Sequence, residues 1–378
     1  MTLNNLKAFF ITAFEDNLPV ALWHLPNEEK SYAITSFDGI KEEIVDFNQL
    51  KGFIVSAFHD KTDLVKYIGA DLILDNTGDY ISNSDNDLTE KFLSKYKNNL
   101  AVKKINWFTN SENNDSSSSK DEYVSLVKKS IEYIKTGELK KIVTSRTKVI
   151  ELQDNFDPIY FFERLVNKYP NAFISLISIP EVGTWIGASP EILLKIENNQ
   201  LTTMALAGTQ IYKGQELEEI EWGLKEKEEQ LTVSEYIEEK FVNLSVNDFN
   251  KSIPATVIAG NVLHIQTLFS YSSDNINEFS TKFISDFSPT PAVCGYPKDK
   301  SLNFLLENES YNREFYSGYL GLINIFDKSN LFVNLRCMQI KNDKAVIYVG
   351  GGITADSVPE KEWYETELKS QTLLSVLE

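Results

Sequence analysis

Histidine, cysteine and arginine are the scarce residues of this chain, and each scarcity closes off a chemistry. The histidines are His24, His59 and His264, none of them clustered, which disfavours a zinc site. The two cysteines, Cys294 and Cys337, stand in apolar surroundings at no metal-ligand spacing, and nothing in the sequence argues for a disulfide between them. A reduced, cytoplasmic setting is the expectation. Long apolar runs are missing too: the stretch around Phe9 to Phe14 is short, has no basic leader and runs into Glu15 and Asp16. It reads as neither signal peptide nor membrane span. Positive charge is also in deficit, with 37 Lys and Arg against 55 Asp and Glu and a formal charge of −18. That balance speaks against nucleic acid or an anionic membrane as partner. Arginine occurs only at Arg146, Arg164, Arg313 and Arg336, leaving 33 of the 37 basic residues as lysine. A few retained arginines suggest places that need a planar fork to grip a carboxylate. Structural ion pairs are the competing explanation, above all at Arg146 and Arg313.

What is present is enough apolar material, 42% of 378 residues, for a large core. No internal repeat and no linker is visible, so a single large α+β domain is expected. Residues 1–110 form its N-terminal part and 111–378 its catalytic region. The first hundred residues alternate strand-like runs such as Gly52-Phe53-Ile54-Val55 with polar turns. The polar tract 110–119 reads as a surface loop. It ends in Ser119-Lys120-Asp121-Glu122, a capping-box spacing that predicts a helix with Val124, Val127, Ile131 and Ile134 inward and Gly137 as its stop. Lys141 to Arg146 then reads as a strand. Further strands are expected at 172–177, 184–187, 192–196, 201–206, near Val257, and at 262–268, 319–326, 331–340 and 345–350. A charged helix is expected over 218–241, and a C-terminal one opening at Ser357-Val358-Pro359-Glu360.

Several positions within this frame could carry chemistry. Lys141 opens a strand, ordinarily a solvated position. Gly187-Ala188-Ser189-Pro190-Glu191 sets a carboxyl at a strand entrance behind a proline. On the charged helix the apolar stripe runs from Trp222 through Val233, Ile237 and Phe241, which puts Glu229 on the inward side. An inward carboxylate needs a cation, whether lysine or metal. Glu362, Glu365 and Lys369 share one helix face, where Glu365 with Lys369 could be a routine ion pair.

The last quarter of the chain reads, in order, Pro289-Thr290-Pro291-Ala292-Val293, Arg313 with Tyr316-Ser317-Gly318, Leu335-Arg336, Gly350-Gly351-Gly352-Ile353, and Glu362-Trp363-Tyr364-Glu365 with Lys369. That succession resembles the chorismate-utilising enzymes, and within them the isochorismate synthases, from about Lys141 to the C-terminus. The resemblance implies two large, mainly antiparallel β-sheets stacked face to face with helices outside. It implies that chorismate is converted to isochorismate by water attack at C2 and loss of the C4 hydroxyl. Leu139-x-Lys141-Ile142-Val143-x-x-Arg146 matches the segment whose lysine activates water, so Lys141 would have to shed its proton. Glu191 would be the general acid, with a raised pKa. Glu229 and Glu365 would hold Mg2+, with Glu362 in its outer shell.

By the same resemblance the substrate pocket takes Gly208 and Thr209 from Ala205-Leu206-Ala207-Gly208-Thr209, and His264 from His264-Ile265-Gln266-Thr267. Ala292, Gly350 and Gly351 would line it, Tyr316 and Arg336 would anchor the enolpyruvyl carboxylate, and Lys369 would meet a substrate carboxylate. Turn and core roles remain open for Gly208 and His264. One departure is visible: the family has Glu-His where this chain has Glu229-Gln230. Alternatives on the same fold are a salicylate synthase, which eliminates pyruvate, and an aminating enzyme making anthranilate or aminodeoxychorismate. A binding protein that kept the fold is disfavoured, because Lys141, Glu191, Glu229 and Glu365 are all present. The expected form is a monomer with no glutaminase subunit, its product feeding menaquinone or siderophore synthesis.

Overall fold

The computed structural model describes residues 4–84, 86–102, 104–110, 116–260 and 262–377. Among them are twenty β-strands and eight α-helices. From edge to edge the first sheet runs Gly295–Tyr296 (β16), Lys141–Glu151 (β8), Lys344–Ile353 (β20), Cys337–Ile340 (β19), Gly183–Ser189 (β10), Phe173–Ile179 (β9), Val20–His24 (β1), Ser31–Thr35 (β2), Leu72–Asp75 (β6) and Tyr80–Ser82 (β7). The second runs Asn250–Lys251 (β13), Val262–Ser272 (β15), Gln200–Ile211 (β12), Ile192–Glu197 (β11), Lys328–Val333 (β18), Tyr319–Ile325 (β17), Gly52–Ser56 (β4), Val65–Gly69 (β5) and Lys41–Glu43 (β3), with Ala255–Ala259 (β14) also paired to β15. Every pairing among the described residues is antiparallel. The first hundred residues therefore extend both sheets.

Strands such as β9 and β10 are buried along their whole length, because one face meets the other sheet and the opposite face meets helices. Between the sheets, Trp23, Trp185 and Tyr348 of the first pack with Phe53, Leu320 and Phe332 of the second. The rings of Phe173 and Phe332 stack across this interface at 4.1 Å. Helices Asn4–Glu15 (α1), Asn86–Asn99 (α2), Pro158–Lys168 (α4) and Pro359–Leu377 (α8) cover the outer face of the first sheet. Leu224–Asn243 (α5) and Ile276–Ile284 (α6) cover that of the second through Ile237, Phe241 and Phe283. Lys120–Lys135 (α3) and Lys298–Asn308 (α7) close one end around Ile142 and Ile353. No helix among the described residues is long and apolar enough to cross a membrane.

The local signals are realised where they were strongest. Ser119 and Glu122 form the reciprocal capping box of α3, and Gly137, at φ +85°, follows its end. Of the tract 110–119, residues 111–115 lie outside the described residues. Two expectations are corrected. The helix expected over 218–241 starts only at Leu224, after a separate 3-10 turn at Leu217–Glu219, because Gly223 adopts the extended N-cap conformation. The strand expected over 331–340 is two strands, and Arg336 is not on either: it takes a left-handed φ of 49° between β18 and β19.

That break moves the chain from the second sheet back to the first. The reverse move happens next door, where Pro190 and Glu191 carry the chain from β10 to β11. The Ala188 N–H donates to Arg336 O at 3.1 Å and the Val333 N–H to Glu191 O at 3.0 Å, so the two crossings run side by side. The side chains of Glu191 and Arg336 both reach the wall of one small pocket.

Candidate active site

Strand β20 ends in Gly350, Gly351 and Gly352, paired in register with Ser145, Thr144 and Val143 of β8. A Cβ on Gly352 would collide with Glu229 Oε1 and with the Lys141 side chain, so only bare backbone lets α5 lower Glu229 onto the strand. A Cβ on Gly351 would lie 3.5 Å from Glu365 Oε1 and 3.7 Å from Glu362 Oε2. Glu229 and Glu365, on helices far apart in sequence, each approach one of two consecutive glycines, and both lie within electrostatic reach of Lys225. Each acid has a lysine partner: Lys141 Nζ is 3.0 Å from Glu229, Lys369 Nζ 2.7 Å from Glu365 and Lys225 Nζ 2.6 Å from Glu362. The Lys141 ammonium, 1% exposed, makes no well-directed hydrogen bond to any described residue, so charge alone holds it to Glu229.

The two helical acids of α8 are polarised by this company. Burial, then the charge of Glu365, raises the Glu362 pKa. Burial also works to raise Glu365, but the Lys369 ammonium and the Thr209 hydroxyl outweigh it and hold that carboxyl low. Among the described residues no three His, Cys, Asp or Glu side chains gather as a metal cage. Two carboxylates over a glycine cradle, with most of the shell left to water and ligand oxygens, fit Mg2+ rather than zinc.

Glu229 borders a small pocket of about 70 Å3. Glu191, Glu229, His264, Arg336 and Lys369 reach its wall, Tyr316 and Ala292 adjoin them, and Gly208, Thr209, Gly350 and Gly351 complete it. Lys141, Glu362 and Glu365 do not line it: Lys141 lies behind Glu229, and the two glutamates stand over Gly351.

Glu191 is 5% exposed, and burial pushes its carboxyl up to about 8 against the pull of Lys141, Lys369 and Arg336. It therefore carries a proton at neutral pH. Arg336 Nη1 donates to Thr372 Oγ1 at 3.3 Å and Nη2 to His264 Nε2 at 3.4 Å. No carboxylate pairs with it among the described residues. Arg313 and Arg146 contrast with it. Arg313 is bound to Glu309 and to the carbonyls of Val293 and Val143, and Arg146 to Glu367 and Thr366 beneath Trp363. Those two are structural, as the ion-pair alternative had it.

His264 is fixed by its neighbours. Its Nδ1 lies 2.7 Å from the carbonyl of Gly208, which can only accept, so the proton is on Nδ1 and Nε2 is the acceptor facing Arg336. Burial, then Arg336 and Lys369, lowers its pKa to about 3, so the ring is neutral and serves as a positioning group. Gly208 holds φ +73°, which turns that carbonyl toward the ring. Tyr316 stacks on Tyr348 at 5.6 Å, and burial pushes its phenol up to about 12, leaving it a hydrogen-bond donor. Ala292 is anchored through its N–H to Thr290 Oγ1 at 3.3 Å. Gln230, at the position of the family histidine, is buried and donates to Thr267 Oγ1 at 2.7 Å and to Ser234 Oγ at 2.9 Å, pinning α5 to β15 beside Glu229.

Sequence reasoning missed Lys225, which belongs to a charged run normally read as a solvated face. Its position four residues before Glu229, on the same helical face, was the available signal.

Comparison with known proteins identifies the family. The sequence profile described as "Chorismate binding enzyme" matches residues 33–378. Anthranilate synthase component 1 of Acetivibrio thermocellus is 29% identical over 90% of this chain and 67% of its own length. Isochorismate synthase EntC of Escherichia coli is 26% identical over 64% of this chain and 63% of its own. The chain thus spans about two thirds of these curated relatives. Among solved structures, the menaquinone-specific isochorismate synthase MenF of Escherichia coli superposes with a TM-score of 0.78 at 19% identity, over 98% of this chain and 91% of that one. The putative 2,3-dihydroxybenzoate-specific isochorismate synthase DhbC of Bacillus anthracis gives 0.76 at 20% identity, over 99% of both. At such identities the structures establish the shared fold. With its profile match over most of the chain and that fold, this protein belongs to the chorismate-binding enzymes.

Proposed function

We propose that the protein converts chorismate to isochorismate. The observation that carries this reading is a buried lysine within electrostatic reach of a protonated carboxyl, with Glu191 in the pocket wall and Lys141 behind Glu229. In this mechanism the Lys141 ammonium first gives up a proton to solvent; the neutral amine then takes a proton from the water that attacks C2, and Glu191 gives its proton to the C4 hydroxyl, which departs as water. Arg336 and Tyr316 hold the enolpyruvyl carboxylate, Lys369 meets a second carboxylate, and neutral His264 keeps the Arg336 fork aimed. Held by Glu229 and Glu365, Mg2+ would neutralise the ring carboxylate and draw electron density from the diene.

Water as nucleophile gives Lys141 a task that ammonia would not require, and no glutaminase subunit is then needed. Two buried free thiols, Cys294 and Cys337, suit a reduced cytoplasm. The rival reading, amination, draws on the similarity to an anthranilate synthase component. Incubation with chorismate and Mg2+, with and without ammonium, followed by chromatography, separates the outcomes. Isochorismate supports the proposal, while anthranilate or salicylate as the principal product replaces it.

A further inference from the structure

Beside the small pocket lies a cavity of about 590 Å3. Arg336, Pro190 and Leu206 line both spaces, so these three side chains form the partition between them. The cavity opens between the segment that follows α4, edge strand β14 and the last turns of α8. Its charge is unusual for this molecule. On a chain of formal charge −18, its described lining contains no Asp or Glu, and the only charged residues are Lys168 and Arg336. Elsewhere around the small pocket there are acids, Glu229 in the wall with Glu362 and Glu365 beyond it, each paired with a lysine.

The pocket itself has room for only a few waters, far less than a ring dicarboxylate with an enolpyruvyl arm needs. An anion approaching past the glutamates meets only charges already paired, each carboxylate with a lysine. One approaching through the large cavity meets apolar walls, a lysine at the rim and then a guanidinium that has no carboxylate of its own. We infer that this cavity is the port through which a dianionic substrate of the chorismate class reaches the reaction pocket, with Arg336 at its inner end as the carboxylate selector. The inference rests on the proposed substrate.

A port controls rates and leaves equilibrium affinity alone, which gives a test separate from any effect on the site. The parent for it is Glu191→Gln, measured with Mg2+ by stopped-flow tryptophan fluorescence on chorismate addition. Ala259→Trp, which fills the cavity from β14, should slow association and dissociation by the same factor and leave Kd unchanged. Asn171→Asp with Gln371→Asp, two exposed positions on the rim, should lower the association rate about fivefold at low salt, with recovery near 0.5 M salt. The same charge placed elsewhere, as Asn48→Asp with Asn98→Asp, should change nothing. Association within about twofold of the parent in both port variants overturns the port even if the parent binds normally. A parent that binds no chorismate overturns the substrate reading, and the port with it.

Discussion

Glu191 and Arg336 sit on adjacent crossings between the two sheets, joined through the Ala188 N–H to Arg336 O bond at 3.1 Å and the Val333 N–H to Glu191 O bond at 3.0 Å. The pairing matters because each crossing turns a side chain out of the pleat and into the wall of one pocket, where solvent is scarce. One side chain thereby becomes a protonated acid, and the other a guanidinium without a counter-ion.

The acid role sets a pH dependence. Burial raises Glu191 to about 8, and the protonated form is the useful one, so turnover should hold at neutral pH and fall as pH rises through about 8. His264, lowered to about 3, contributes no inflection near neutrality. Glu191→Gln should cost at least about 100-fold in kcat with chorismate binding preserved. A pH–rate profile and a binding titration check both, and normal turnover in this variant refutes the assignment.

Gly352→Ala should displace Glu229, because the added methyl would occupy the place of Oε1 and crowd Lys141. Calorimetric titration should then show Mg2+ affinity reduced roughly 10-fold or more, in line with losses on disturbing a metal ligand's support. An unchanged affinity would remove Glu229 from the metal site.

Lys225→Met leaves the 2% exposed Glu362 without its ammonium. Breaking a buried pair from one side should destabilise the metal-free protein by about 3 kcal/mol in urea titrations. Added Mg2+ should recover more stability in the variant than in the wild type, since the cation would answer the same unpaired charge. Equal stabilisation of both proteins would argue against a cation near Glu362.

Arg336→Lys keeps the charge and loses the planar fork. At about 2 kcal/mol for a charged hydrogen-bond pair, KM for chorismate should rise roughly 30-fold with kcat less affected. A drop confined to kcat would instead place Arg336 in the chemistry.

Much of the fold was legible because its signals are local. The Ser119 to Glu122 cap and the apolar spacing behind it announce α3, and the β-branched run after Lys141 announces β8. The inward side of Glu229 followed from the apolar stripe of Trp222, Val233, Ile237 and Phe241, and the structure gives that acid a cation partner as the physics required. The resemblance placed most of the pocket wall. Other features depend on who pairs with whom across the fold. Nothing within 331–340 tells that residues 334–336 leave one sheet for the other, since both halves look like one strand. Glu309 stands four residues before Arg313, but nothing nearby reveals that the carbonyls of Val293 and Val143 also satisfy that guanidinium, while Arg336 goes without a carboxylate.

By itself, then, the sequence determined which segments are strands and helices and which side chains have the chemistry to act, because propensity, capping and periodicity are encoded within a few neighbouring residues. Only the tertiary structure decided which lysine faces which glutamate, which arginine keeps its fork free and where the acid-free cavity meets the pocket. Those outcomes come from antiparallel pairing between strands a hundred or more residues apart, such as β8 with β20, and from the burial it creates.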